Sequence, residues 1–376
     1  MASTSSRLSV LQRAIGLPST NRKRVMAYVA AVAAAGVAAL VFGMWLGGNL
    51  RQTQIDGLAV GGTGNFTSWG LVASKLVLDV SSVGVIGMLT ACLLLPVQDR
   101  ELSAPARRCL RTASWLALVA GISNAALLLF SWADVVAQPV TTLPIRKLFT
   151  DTAATFPDAA DYISTTALAL VISLAVSVTQ TRRGALIVLP LAFYNLVLMA
   201  LQGHASHGTV LKYSLVVHVI AVSLWVGGLA ALLAYARREP TLLAVAVPRF
   251  STLALGCYAA VAVTGIIAAW ELLGSVSLVW GSRYGVLAAL KAVALITLGV
   301  FGWWHRRHTV RRIRAADGRR SRRAFIQLSA AEVVVMIIAV ALAVALSRSA
   351  SPDTTKLHSG RGNAASFHVQ TGVQNI

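Results

Sequence analysis

Residues 70–97 read GLVASKLVLDVSSVGVIGMLTACLLLPV. Apart from Lys75 and Asp79 the run is uncharged, and as a helix rising 1.5 Å per residue it spans a hydrocarbon core of about 30 Å. It lacks the two-residue alternation of a barrel strand. Lipid offers no water to unpaired backbone groups, so a helix is the structure such a run adopts in a membrane. Lys75 and Asp79 stand four residues apart, one helical turn, where opposite charges neutralise each other.

Eight more apolar segments resemble it in length: 25–47, 112–136, 160–179, 184–202, 212–236, 250–273, 285–304 and 325–347. The whole chain of 376 residues is 56% hydrophobic and 12% charged, with a mean hydropathy of +0.71. A soluble domain cannot bury that much apolar surface. The fold predicted is all-α, a polytopic transmembrane bundle of nine spans embedded in a lipid bilayer. The first span follows a basic leader, residues 1–24, ending in NRKR. It is too long for a signal-peptide core and has no clear cleavage site, so it reads as a retained span.

The net charge of +20 is dispersed between apolar runs, a pattern of membrane orientation rather than of nucleic-acid binding. The leader and alternate loops hold 23 Lys and Arg; the opposite side holds 8. This bias puts the N-terminus in the cytoplasm, and nine crossings put the C-terminus outside the cytoplasmic membrane. The tail, residues 348–376, is polar and rich in Ser, Gly and Thr, a composition of disordered extracytoplasmic chain. Cys92, Cys109 and Cys257 show no paired spacing, which argues against a disulfide framework or a zinc site. Cys92 and Cys257 fall in the inner halves of spans, where they read as small buried hydrophobes or as soft ligands near an exit; Cys109 falls in a cytoplasmic loop. No Walker A motif, C-x-x-C-H or hydrolase constellation is present, so neither nucleotide, covalent haem nor enzymatic activity is expected.

The histidines are more informative. GHASHGTVLKYSLVVHVIAVSLWVGGL, residues 203–229, places His204 and His207 at the outer end of the fifth span and His218 about two turns into the sixth. A three-residue spacing puts His204 and His207 on one helical face. A short connection makes the two spans antiparallel neighbours, so the imidazoles can converge. Met44 ends the first span at similar outer depth. Imidazole and thioether together suit copper, thioether especially Cu(I). The alternative is that His204 and His207 are solvated interface residues and His218 a hydrogen-bonded packing residue. Gly227 and Gly228, beside Trp225, read as a site of close helix packing. His305 and His308 open the most basic loop, which reads as an orientation anchor meeting anionic lipid.

Other polar groups lie inside spans. Lys291 is in the outer part of the eighth and Glu332 about two turns inside the ninth from the cytoplasmic end; both are expected to face the bundle, as an ion pair or as part of a polar path. Asn124 and Asn195 read as interhelical hydrogen-bonding residues.

GHAS at 203–206, His218 seven residues before WVGGL, RFS at 249–251, TG at 264–265, YG at 284–285, Lys291 and Glu332 follow one another as in the copper resistance D (CopD) membrane domain. Over roughly residues 185–347 the chain resembles that family, specifically its actinobacterial type often fused to a CtaG-like cytochrome c oxidase assembly domain; here a polar tail stands where that domain would begin. The resemblance divides the chain into a four-span region, 25–184, and a CopD-like five-span domain, 185–347. It implies a multi-pass protein of copper homeostasis that takes up or transports copper ions. It carries over to His204 and His218 as motif positions, whereas His207 and Met44 rest on geometry alone. An extracytoplasmic copper chaperone or a cytochrome oxidase is the implied partner. Two other functions stay open: an assembly factor delivering copper to a partner oxidase, and a membrane redox protein holding haem between two histidines.

Overall fold

A computed structural model describes residues 19–46, 64–98, 101–143, 146, 156, 158–201, 209–236, 240–273, 277–304, 307 and 318–347. Nine long helices run through them: α1 (Ser19–Leu46), α2 (Gly64–Leu94), α3 (Ala104–Val135), α4 (Ala159–Val178), α5 (Arg182–Leu201), α6 (Thr209–Tyr235), α7 (Pro240–Leu273), α8 (Arg283–Trp304) and α9 (Gly318–Ser347). The protein is an all-α polytopic bundle. Eight of the helices, α2 to α9, are long and apolar enough to cross a membrane. The apolar part of α1 is shorter than expected, Ala30–Leu46, about 25 Å at the helical rise. The only strands among the described residues are Val97–Gln98 and Glu101–Leu102, a two-residue antiparallel ladder that turns the chain from α2 into α3.

Small residues set the packing, because helices in lipid gain by close contact rather than by escaping water. A Cβ on Gly36 would lie 2.9 Å from Ile337, and one on Gly43 would lie 2.7 Å from the Cβ of Ala345. Both contacts advance in the same sense, so α1 and α9 run parallel. A parallel first and ninth helix is what an odd number of crossings requires. On the next pair Gly70 meets Phe130 and Gly84 meets Leu116, an antiparallel register between α2 and α3.

Polar side chains clasp the next helices together. Ser114 Oγ donates to Ser173 O and Ser173 Oγ to Ser114 O, each at 2.9 Å, joining α3 to α4. One further level along, Asn124 Nδ2 lies 2.9 Å from each of three acceptors, Tyr162 O, Thr165 Oγ1 and Thr166 Oγ1, which share its two protons. Asn124 is thus an interhelical residue. Asn195 and Ser82 direct their donors at Met199 Sδ, at 3.8 and 3.7 Å. Lys75 pairs with Asp79 at 2.9 Å, cancelling the charge that one turn of α2 would otherwise carry into lipid.

At the basic end of the bundle, arginines satisfy carbonyls that α2 leaves unpaired at its C-terminus. Arg182 donates to Leu93 O at 3.1 Å and Arg249 to Leu94 O at 3.3 Å. Arg307 lies over the Trp303 ring, 4.7 Å from its centroid, as an anchor at a membrane boundary does. Cys109 corrects an expectation. It is fully buried within α3 and not in a loop, because that helix begins at Ala104, well before the uninterrupted apolar run. Cys92 and Cys257 are also buried, and none of the three is in a disulfide.

Candidate functional site

The site begins with a departure from α-helical geometry. α6 is α-helical over Thr209–Val222, turns π-helical over Ser223–Gly227, recovers over Gly228–Ala231, and is π-helical again over Leu232–Ala236. Ser223 Oγ donates back to Val219 O at 2.7 Å, a contact that loosens the helical ladder locally. The wider turn presents Gly227 to α2, where its backbone packs on Gly87 and on Val83 O with no room for a side chain. Gly228 packs on Phe250 of α7, whose ring would lie 2.8 Å from an added Cβ. The paired glycines therefore serve backbone approach on two sides. RFS at 249–251 serves the same junction, through Phe250 on Gly228 and Arg249 on the end of α2.

One level above this junction sits His218. Its Nδ1 lies 2.8 Å from Thr264 Oγ1 on α7. Ser214, one turn earlier on α6, donates to Thr264 O at 3.2 Å. Two contacts to one residue fix the helices in register at this level. Lys291 on α8 is close enough to act electrostatically on His218. The three residues share a depth: counted from the ends of α6, α7 and α8 on that side, each lies about 12–14 Å in. Three polar groups from successive helices thus form one intramembrane layer.

Below the layer the bundle closes. Trp225 is buried and meets Tyr258 edge-on, with ring centroids 5.6 Å apart. Tyr258 in turn packs against the backbone of Gly299 on α8. By the same count the aromatic pair lies about 22–24 Å in, and beyond the His218 level come Cys257 at about 24 Å, Met336 at about 16 Å and Glu332 at about 22 Å. Those three are 6%, 2% and 7% exposed, so the Glu332 carboxyl faces the bundle and not lipid. Glu332 lies about 22 Å from the Ser347 end of α9, deeper than Lys291, and the two do not share a level.

Met44 is placed elsewhere. It is buried with Leu40, Val72, Ala341, Val344 and Ala345 where α1, α2 and α9 meet, and it lies only about 3 Å from the end of α1. Its surroundings are those of a packing residue. His204, His207, His305 and His308 lie outside the described residues. Among the described residues, no three His, Cys, Asp or Glu side chains gather to hold a metal ion. Sequence reasoning missed Thr264 as the partner of His218. The TG at 264–265 was the available signal, but the pairing depends on the α6–α7 register.

Two family models match the chain. The model for copper resistance protein D matches residues 244–346, which takes in α7, α8 and α9. The model for the N-terminal domain of copper resistance protein D-like proteins matches residues 66–213, from α2 into the start of α6. No curated protein and no solved structure matches the chain.

Proposed function

The chain belongs to the copper resistance protein D family, and on that premise we propose that it binds copper at the His218 layer and passes it across the cytoplasmic membrane. It is a multi-pass copper resistance membrane protein; the uptake, the binding site and the orientation are the proposal. The observation that carries it is a neutral-type donor held at a fixed angle inside the membrane: His218, with one ring nitrogen bonded to Thr264 at 2.8 Å. Metal-binding histidines characteristically have the second ring nitrogen tied in this way.

In this reading the leader is cytoplasmic, as the excess of basic residues on its side favours. The His218 layer then opens toward the outside, where copper arrives. His204 and His207, between α5 and α6 in the sequence, are the further candidate ligands of this reading. Copper is cargo here. Imidazole nitrogen suits both its oxidation states, and the buried thioether of Met336 and thiol of Cys257, at successively greater depths, suit Cu(I). Lys291 and Glu332 are, in this reading, polar groups along the same interior.

Copper uptake into vesicles containing the purified protein tests the reading. Wild-type vesicles should accumulate copper above protein-free vesicles, and His218→Ala vesicles of equal protein content should not. Equal uptake by the two would overturn it.

A further inference from the structure

We propose that Thr264 is a positioning residue that holds His218 in the tautomer protonated at Nδ1, so that Nε2 is the nitrogen offered to copper. The identity of the ligand rests on the reading above; the tautomer does not.

The argument is a count of protons. A threonine hydroxyl carries one proton and two lone pairs. Thr264 Oγ1 lies 2.7 Å from Ala260 O, 3.2 Å from Val261 O and 2.8 Å from His218 Nδ1. The two carbonyls accept only, so the shortest contact takes the hydroxyl proton along the helix to Ala260 O. The contact with His218 then needs a proton of its own, and only Nδ1–H supplies it. Were Nδ1 bare, it and the carbonyls would compete for a single proton. One of these close contacts would then bring two acceptors together with no proton between them, a repulsion that a low-dielectric interior does not screen. With Nδ1 protonated, every contact is met, and neutral imidazole leaves its lone pair on Nε2.

The backbone supports the same arrangement. Ser214 Oγ donates to Thr264 O at 3.2 Å, so α7 cannot rotate Thr264 away from α6 without breaking a second bond. Thr264 itself is 5% exposed. The hydroxyl is therefore a fixed acceptor, and the ring orientation follows from it. Valine at 264 keeps the shape of the side chain and removes the acceptor; serine keeps the acceptor.

Nitrogen-15 NMR of histidine-labelled full-length protein in bilayers tests this without copper, with His218→Ala used to assign the signals. Wild type and Thr264→Ser should show a protonated Nδ1 and a bare Nε2 at His218. Thr264→Val should lose that preference. Copper affinity should then fall about 10–100-fold in Thr264→Val and be restored in Thr264→Ser. A wild-type spectrum with the proton on Nε2, or a tautomer unchanged by Thr264→Val, would overturn the proposal. Should Thr264→Val not fold, the wild-type and Thr264→Ser spectra still decide it. An Nδ1–H tautomer combined with copper binding indifferent to His218→Ala would uphold the positioning role and sink the copper reading instead.

Discussion

The α2–α5 half and the α6–α9 half of the bundle treat polar groups differently. In the first, side-chain hydrogen bonds tie one helix to the next, although the buried Oδ1 atoms of Asn124 and Asn195 have no partner. Ser114 and Ser173 exchange two bonds, Asn124 Nδ2 reaches three acceptors on α4, and Lys75 is neutralised by Asp79 on its own helix. In the second, His218, Thr264 and Lys291 are brought to one depth and the helix beneath them is broken by π-turns. A membrane protein gains stability by pairing polar groups and gains a site by leaving donor capacity at a defined level. The first half reads as the frame and the second as the working part.

Substitutions sharpen this contrast, and the largest effect should come where the halves meet. Gly227→Leu would drive a side chain into the backbone of α2 at Gly87 and Val83, where no rotamer can yield. A cost of about 3 kcal/mol or more is expected, read as loss of folded protein in thermal melts. Normal melting would show that the α2–α6 contact is looser than described. In the frame, Asn124→Leu should cost about 1 kcal/mol and leave copper binding untouched. A loss of copper affinity there would blur the division between the halves. The smallest effect should be at the end of α3. Ala137 takes a left-handed conformation, φ 54°, while Gln138 N donates to Ala133 O at 3.1 Å and Ala137 N to Asp134 O at 3.2 Å. This is the helix-ending motif that glycine favours, so Ala137→Gly should stabilise by about 0.5–1 kcal/mol. A destabilised variant would argue against that turn.

Much of this frame can be read from residue order. Apolar length alone places the spans, because lipid permits little else. Lys75 with Asp79 follows from one-turn spacing, and close packing at Gly227 and Gly228 follows from the absence of side chains. What spacing does not reveal is which helix stands opposite. Thr264 is 46 residues from His218, and a small shift in the α6–α7 register would separate them. The burial of Met44 against α9 and the parallel pairing of α1 with α9 depend on the ninth helix returning beside the first. Cys109 was misplaced because basic residues in the first turns of α3 resemble a loop until Arg107 is seen bonding back to Leu102 O at 2.7 Å.

The central claim is that His218 is a ligand and not a packing residue. Copper titration of purified wild type and His218→Ala, each with its thermal melt, tests it most directly. The account predicts at least a ten-fold loss of copper affinity in His218→Ala with a melting temperature close to wild type. Unchanged affinity, or a loss of affinity that merely tracks a collapse in stability, would contradict it and return His218 to a structural bond with Thr264.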